Sequence, residues 1–343
     1  AEISKKTVDG KEALEWSNQE GTVSFPINVK ETGVYNIKIV YEILAGGATE
    51  AEFDLKIDGK TPYGTASRIT LDKRWINETE IKQDYSGNDI RPGQVEQVCW
   101  QEKYLADVDG LYADPLWFYI EKGSHTVTLN STKAKFAINS MKLYQYQNPK
   151  SYKAPSDSEL SKNEDARIIK LEGEEAAYKT DRVLYPTSDK NSYLTSPSDP
   201  NKTKYNTIGS ANWTKSTQAI TWKVNIETSG YYKLGIRARQ DQMRGFYSNR
   251  RILIDGVVPN EESDQVKFYY DTEWVVTTPK NADGDIIYYY LEAGEHELTM
   301  EAVPGEIGEV MSQLDDVVYD ITSYYRRIRQ ITGPSPDGYN NYM

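Results

Sequence analysis

Five arginines, Arg237, Arg239, Arg244, Arg250 and Arg251, fall within one short stretch of a chain whose formal net charge is −12. The guanidinium is a rigid fork of N–H donors that fits vicinal hydroxyls or a carboxylate. Tyr247 and Asn249 lie inside the same stretch, and Trp213, Tyr193 and Trp274 are its natural companions. An aromatic ring offers a flat apolar face to a sugar ring or to the guanidinium itself. Together these residue types can stack on a sugar and orient it by hydrogen bonds. They fit equally an ion-pair lattice with the 52 Asp and Glu of the chain, with Arg packed on Tyr.

A second group lies earlier. Tyr85, Arg91, Trp100, Tyr104 and Tyr112 are concentrated between Gln83 and Asp114, and the first three are further ligand-binding candidates. The same region clusters oxygen donors around glycines, at Asp84 to Asp89 and at Asp107, Asp109 and Asp114. Such groupings can bind calcium, although neither has the twelfth-position Glu of an EF-hand loop, and a turn-rich acidic loop explains them as well. Glu172 and Glu174 form another possible oxygen pair.

Other chemistry is scarce. There are two histidines, His125 and His296, and one cysteine, Cys99. That nearly removes a zinc site of the usual ligand set, and any serine triad would need one of those two histidines. No pair of carboxylates is singled out for glycoside hydrolysis, so the expectation is a chain that is not an enzyme. The negative balance disfavours nucleic acid and anionic membrane surfaces. No apolar run approaches the length of a membrane span, so no insertion into a bilayer is expected. Tyrosine is frequent, 27 residues against six phenylalanines, which suits half-wet binding surfaces and exposed sheets alike.

The elements that must position these residues come in duplicate. Gly33-Val34-Tyr35, Ile57-Asp58-Gly59 and Gly123-x-His125-x-x-Thr128 return as Gly230-Tyr231-Tyr232, Ile254-Asp255-Gly256 and Gly294-x-His296-x-x-Thr299. The interval from Gly33 to Asp58 equals that from Gly230 to Asp255. A period near 200 is too long for a solenoid, so two related domains stand in tandem. Val23, Phe25, Ile27 and Val29 alternate with polar residues, as do Tyr35, Ile37, Ile39 and Tyr41; Asp58-Gly59 ends a strand in a turn. Short strands with frequent turns predict an all-β fold of two tandem jelly-roll β-sandwich domains. The expected limits are 1–147 and 168–303, with a linker over 148–167 that is rich in Pro, Ser and charge. Repeat one carries surplus residues over 83–114 and repeat two over 184–213; long loops in a compact sandwich are functional or disordered.

After Pro304 the period changes. Ile307, Val310, Met311, Leu314, Val317, Val318, Ile321, Tyr324, Tyr325 and Ile328 follow helical spacing, with Gly333 as the stop signal, which predicts a C-terminal amphipathic helix within 304–333. A closing strand through Asp316–Ile321 competes with it. The tail, 334–343, reads as a linker toward a further segment.

The Gly-x-Tyr strand, the Ile-Asp-Gly turn and the Gly-x-His-x-[Val/Leu]-Thr strand resemble carbohydrate-binding modules of the galactose-binding-like jelly-roll class, the family 6 and family 35 type. Ile81–Pro92, Leu184–Asp189, Tyr205–Gly209, Arg250–Gly256 and Ile331–Gly333 resemble the N-terminal region of extracellular solute-binding lipoproteins of carbohydrate ABC importers in Gram-positive bacteria. The resemblance implies non-catalytic binding of an oligo- or polysaccharide on the bacterial cell surface, outside the cell and lipid-anchored, ahead of a solute-binding domain. It also implies a scaffold role as the alternative. In family 6 and 35 modules aromatic loops grip the glycan, and acidic residues near the first strand hold a structural calcium; Glu172 and Glu174 match that position loosely.

Overall fold

The computed structural model describes residues 3–45, 50–112, 114–161, 168–190, 193–335 and 338. The Gly46–Thr49 loop, which the sequence sets against the arginine-rich loop of repeat two, lies outside these residues, as do 162–167 of the linker and most of the tail.

Repeat one is a two-layer sandwich. One sheet runs Ile3–Val8, Lys11–Trp16, Phe136–Tyr144, Gly33–Ile43, with Gln101–Tyr104 and Trp117–Ile120 sharing the far edge of Gly33–Ile43. The other runs Gly21–Val29, Gly123–Lys133, Ala51–Ile57, Ile69–Leu71. Alternation decides the inner face: Ile37, Ile39 and Tyr41 on one strand and Phe53 and Leu55 on another are buried. Trp16 stacks on Phe136 at 4.6 Å between centroids, and Phe53 lies 6.3 Å from the same ring. Each such side chain, fully buried, stabilises the fold by about 1.5–3 kcal/mol.

Repeat two keeps one layer and rebuilds the other. Ala219–Ile226, Gly294–Val303, Tyr247–Ile254 and Val266–Tyr269 repeat the second sheet of repeat one in the same order. The facing layer is reduced to two ribbons: Gly230–Lys233 with Tyr288–Leu291, and Ile236–Ala238 with Val275–Thr277. Among the described residues, three strands of repeat one, Ile3–Val8, Lys11–Trp16 and Phe136–Tyr144, have no strand counterpart in repeat two. Residues 173–213 cover the gap, with Leu184 fully buried and Ile208 and Trp213 packed on the core. The surplus of repeat two is thus largely a substitute wall.

Where repeat one closes with Phe136–Tyr144, repeat two continues into the helix Glu306–Thr332. The strand reading of Asp316–Ile321 fails because that stretch lies in mid-helix. Gly305 (φ 61) and Gly333 (φ 76) bound it, Glu306 and Glu309 lie in its first turn and Arg329 in its last, charges that suit the helix dipole. Gly308 is buried; a Cβ there would sit 2.5 Å from the Leu111 carbonyl.

The two repeats are joined by more than sequence. Trp75–Asn77 of repeat one and Gln94–Glu96 from its surplus pair with each other and extend the sheet of repeat two through Lys179, which stands opposite Trp75. The connecting segment is tied down at its start: the Glu261 N–H donates to the Lys150 carbonyl and the Tyr152 N–H to the Glu262 carboxylate. A short helix, Asp157–Leu160, follows with a capping box from Ser156 and Glu159.

The duplicated histidines do the same structural work. In each repeat Nδ1 lies 2.6 Å from an aspartate, Asp58 or Asp255, and Nε2 lies 2.8 Å from a carbonyl, Glu121 or Glu292. The other aspartate oxygen accepts the N–H of Thr126 or Glu297. Asp58 and Asp255 are at φ 50 and 51, each followed by a glycine at φ 77, the left-handed pair a tight hairpin turn requires.

Candidate functional site

The five arginines separate into different environments, and only two share a face. Arg237 lies opposite Val276 and Ala238 opposite Val275. Period two therefore turns Ile236 and Ala238 into the core and sends Arg237 and Arg239 outward. The loop after Pro186–Thr187 stands over this outer face. Its Asp189 is buried, and one carboxylate oxygen accepts from Arg239 Nη1 at 2.6 Å and from Trp274 Nε1 at 2.7 Å. Arg239 Nε also faces Asp241 at 3.2 Å, and its guanidinium lies 5.3 Å from the centre of the Trp274 ring. Arg237 donates to the Leu194 carbonyl at 2.7 Å. Tyr193, beside it, is 97% exposed.

Asn206 holds the loop in place. Its side chain accepts from the Asp189 N–H and donates to the Asp189 carbonyl, the Thr195 hydroxyl and the Pro197 carbonyl. The result is a fixed guanidinium beside a half-buried indole, flanked by an exposed phenol. Such a surface presents ring faces and preset donors to a neutral, hydroxyl-rich ligand. Asp189 was not a candidate from sequence, where it is one more acid in a loop of Ser, Pro and Asn. The alternation of Arg237 and Arg239 was the one local signal that they share a face.

The remaining candidates have other occupations. Arg250 is half-buried and stacks on Trp213 at 4.2 Å, donating to the carbonyls of Asn249 and Trp213. Its position follows from the repeat: the offset that carries Gly33 to Gly230 carries Trp16 to Trp213 and Phe53 to Arg250. With no strand equivalent to Phe136–Tyr144, the aromatic stack of repeat one becomes an arginine on a tryptophan. Burial lowers the Arg250 pKa to about 10, so it stays charged at neutral pH. Trp213 and Arg250 are thus both half-buried and turned to each other, with Trp213 packed on the core of repeat two. Arg251 faces Asp264 at 2.5 Å, Asp114 at 3.5 Å and Glu301 at 3.9 Å, a seam between the repeats. Tyr247 donates to Glu306 at 3.2 Å, and the buried Asn249 donates to the Pro304 carbonyl; both secure the start of the long helix. Arg244 is exposed on a turn away from the Asp189 cluster's hydrogen bonds. In repeat one, Arg91 stacks on Tyr185 at 4.5 Å, Lys11 lies 5.3 Å over Trp100, and Tyr85 is fully exposed.

The carboxylates read as calcium ligands are not assembled as such. Asp107 is buried, and its oxygens accept the N–H groups of Asp109, Leu111 and Tyr112. Asp109 faces Arg68 at 3.8 Å and Asp114 faces Arg251. Glu172 pairs with Lys170. Glu174 is buried with one oxygen lacking a partner, and burial raises its pKa to about 7. Calcium asks for six to eight oxygens around one point. Among the described residues no three His, Cys, Asp or Glu side chains converge to hold a metal, so these residues do not fit the ion.

A groove of about 700 Å³ opens elsewhere, between Phe25, Pro26 and Ile27 and the edge formed by Leu14, Asn139 and Met141 of repeat one. It holds none of the candidate ligand or metal residues.

No protein-family model and no curated protein matches the chain. Solved structures do. A CBM35 module from Paenibacillus barcinonensis is 13% identical, covering 43% of this chain and 91% of that one, with a TM-score of 0.27. The CBM22-1 xylan-binding domain of Xyn10C from the same organism is 13% identical, covering 43% and 83%, with a TM-score of 0.22. A cycloisomaltooligosaccharide glucanotransferase from Paenibacillus sp. is 10% identical, covering 87% and 43%, with a TM-score of 0.23. Likenesses of this depth do not say what this chain binds.

Proposed function

We propose that the chain is a non-catalytic carbohydrate-binding protein whose site is the outer face of repeat two at Arg237, Arg239, Trp274 and Tyr193. The observation that carries this reading is the buried Asp189, which fixes Arg239 and Trp274 side by side with one oxygen. A preset guanidinium and indole recognise a sugar by face and by hydroxyl without moving. The face is open, so affinity is weak to moderate. In the wider reading, which rests on the resemblance of the quoted stretches, the protein captures glycans outside the cell, on the bacterial surface, ahead of a solute-binding domain.

The test is a glycan array followed by calorimetry on the bound class. Trp274→Ala and Arg239→Ala should each weaken binding by about tenfold or more, as loss of a stacking and charge-assisted contact implies. Arg250→Ala should leave the affinity of the folded fraction unchanged. Wild-type affinity in both site variants would reject the site, and a blank array would reject the function. A second reading, a protein-interaction module, is favoured by the exposed face of the long helix.

A further inference from the structure

From Gln313 onward the helix Glu306–Thr332 stands clear of the sandwiches, with its large apolar side chains exposed. Met311, Leu314, Val318, Ile321, Tyr325 and Ile328 alternate at spacings of three and four, the seam of a helix that packs on another helix. Val310, Val317, Tyr324 and Ile331 add a second row at every seventh residue. Val317, Val318 and Ile321 are 53%, 52% and 62% exposed. Among the described residues the body of the protein leaves this stripe exposed: the helix meets it through Glu306, bonded to Tyr247, through Gly308 near Leu111 and through Ser312, bonded to Tyr112. Gly308 and Ser312 lie on the side of the helix opposite the stripe, given 3.6 residues per turn.

Charge selects the occupant. The first half of the helix carries Glu306, Glu309, Asp315, Asp316 and Asp320; the second half carries Arg326, Arg327 and Arg329. A partner lying antiparallel sets Asp315 and Asp316 against Arg326 and Arg327 on both sides of the centre, and the opposed helix dipoles agree. The pattern is also self-complementary. A two-fold axis between Asp320 and Ile321 brings Val310 level with Ile331, Val317 with Tyr324, and Asp315 with Arg326 of the other copy. That is what an isologous interface requires, each contact occurring twice. The helix is about 40 Å long, enough for an apolar seam of several turns.

We infer that this helix joins two copies of the chain as an antiparallel pair, independently of any sugar. The experiment is sedimentation analysis of the whole chain across the micromolar range, with circular dichroism to verify the fold. We expect a dimer that Val317→Glu converts to monomer, that Asp315→Arg weakens at least tenfold, and that Asp315→Arg with Arg326→Asp restores. A chain that stays monomeric with intact helix content overturns the inference, as does a dimer indifferent to these substitutions. Direction is read by oxidative crosslinking in a Cys99→Ser background. Val310→Cys with Ile331→Cys should crosslink between copies; crosslinking of Val310→Cys alone would mean a parallel pair and defeat the proposal.

Discussion

Arg239, just past a strand of the facing layer, and Arg250, on a strand of the other sheet, are the same residue type, yet one faces solvent beside Trp274 and the other stacks on Trp213. Arg250→Ala should therefore act on stability. It removes a half-buried side chain stacked on Trp213, a loss of about 1–2 kcal/mol, visible as a lower thermal midpoint. Glu174 offers a cleaner reading of burial. Its pKa stands near 7 against an ordinary value of 4.5. Between those values the folded chain keeps a proton that the unfolded chain has released, so this group's penalty grows as pH rises and is complete above 7. Glu174→Gln should raise the midpoint near about pH 8 and leave it almost unchanged near about pH 4; an equal shift at both would mean the carboxylate is not strained by burial.

Each Asp-Gly turn with its histidine is the best-marked element of the fold. Both ring nitrogens of His125 and His296 face acceptors, which favours the doubly protonated ring. The aspartate first, then the carbonyl, raises each histidine pKa above 6.5. The stabilisation is full below the unfolded value and fades as pH climbs through the folded one. His296→Asn should cost more midpoint near about pH 5.5 than near about pH 8.5; the reverse order would refute the ring charge. These turns were legible in the sequence because their marks repeat at the same spacing: a positive φ at Asp-Gly and a histidine on the neighbouring strand in both copies. The helix was legible for the same reason, since its period runs unbroken to Ile331. The loss of three strands from repeat two was not, because what covers a sheet is decided by segments far apart in the chain. That hidden loss is why Arg250 and Trp213 read as a ligand pair. The offset placing Arg250 on Phe53 was available, but without the missing strand it had no meaning. Arg237, Arg239 and Trp274 gather on the outer face, with Tyr193 next to the Leu194 that Arg237 binds, and the buried Asp189 that organises them had no local mark.

At the scale of the whole molecule the surplus of repeat one becomes a brace for repeat two. Asp89 is buried and binds Lys204 at 2.9 Å with one oxygen and the Tyr205 N–H at 2.9 Å with the other. The next residue, Asn206, holds Asp189. A residue of repeat one thus steadies the loop that sets Arg239 and Trp274 in repeat two, and Asp89→Ala should weaken glycan binding severalfold while touching no ligand. Lys179 is the second clasp. It is fully buried, and its ammonium donates to Asn77 at 2.8 Å and Gln94 at 2.7 Å across the seam. Burial lowers its pKa from 10.5 to about 8. Between those values the unfolded chain holds a proton the folded chain has lost, so this residue's share of stability rises with pH from about 8 to 10.5 and is flat below. Tyr178 and Tyr289 work the other way at higher pH: burial raises both to about 12, and their share falls once the unfolded phenols ionise above 10. The wild-type midpoint should therefore gain from Lys179 between about pH 8 and 9.5, and Lys179→Met should erase that gain. Because Trp75–Asn77 and Gln94–Glu96 are strands of the sheet of repeat two, the two repeats should melt in one calorimetric transition. Lys179→Met combined with Asp89→Ala removes both clasps and should split that transition in two; a wild-type chain that already melts in two steps would show that the shared sheet does not couple the repeats.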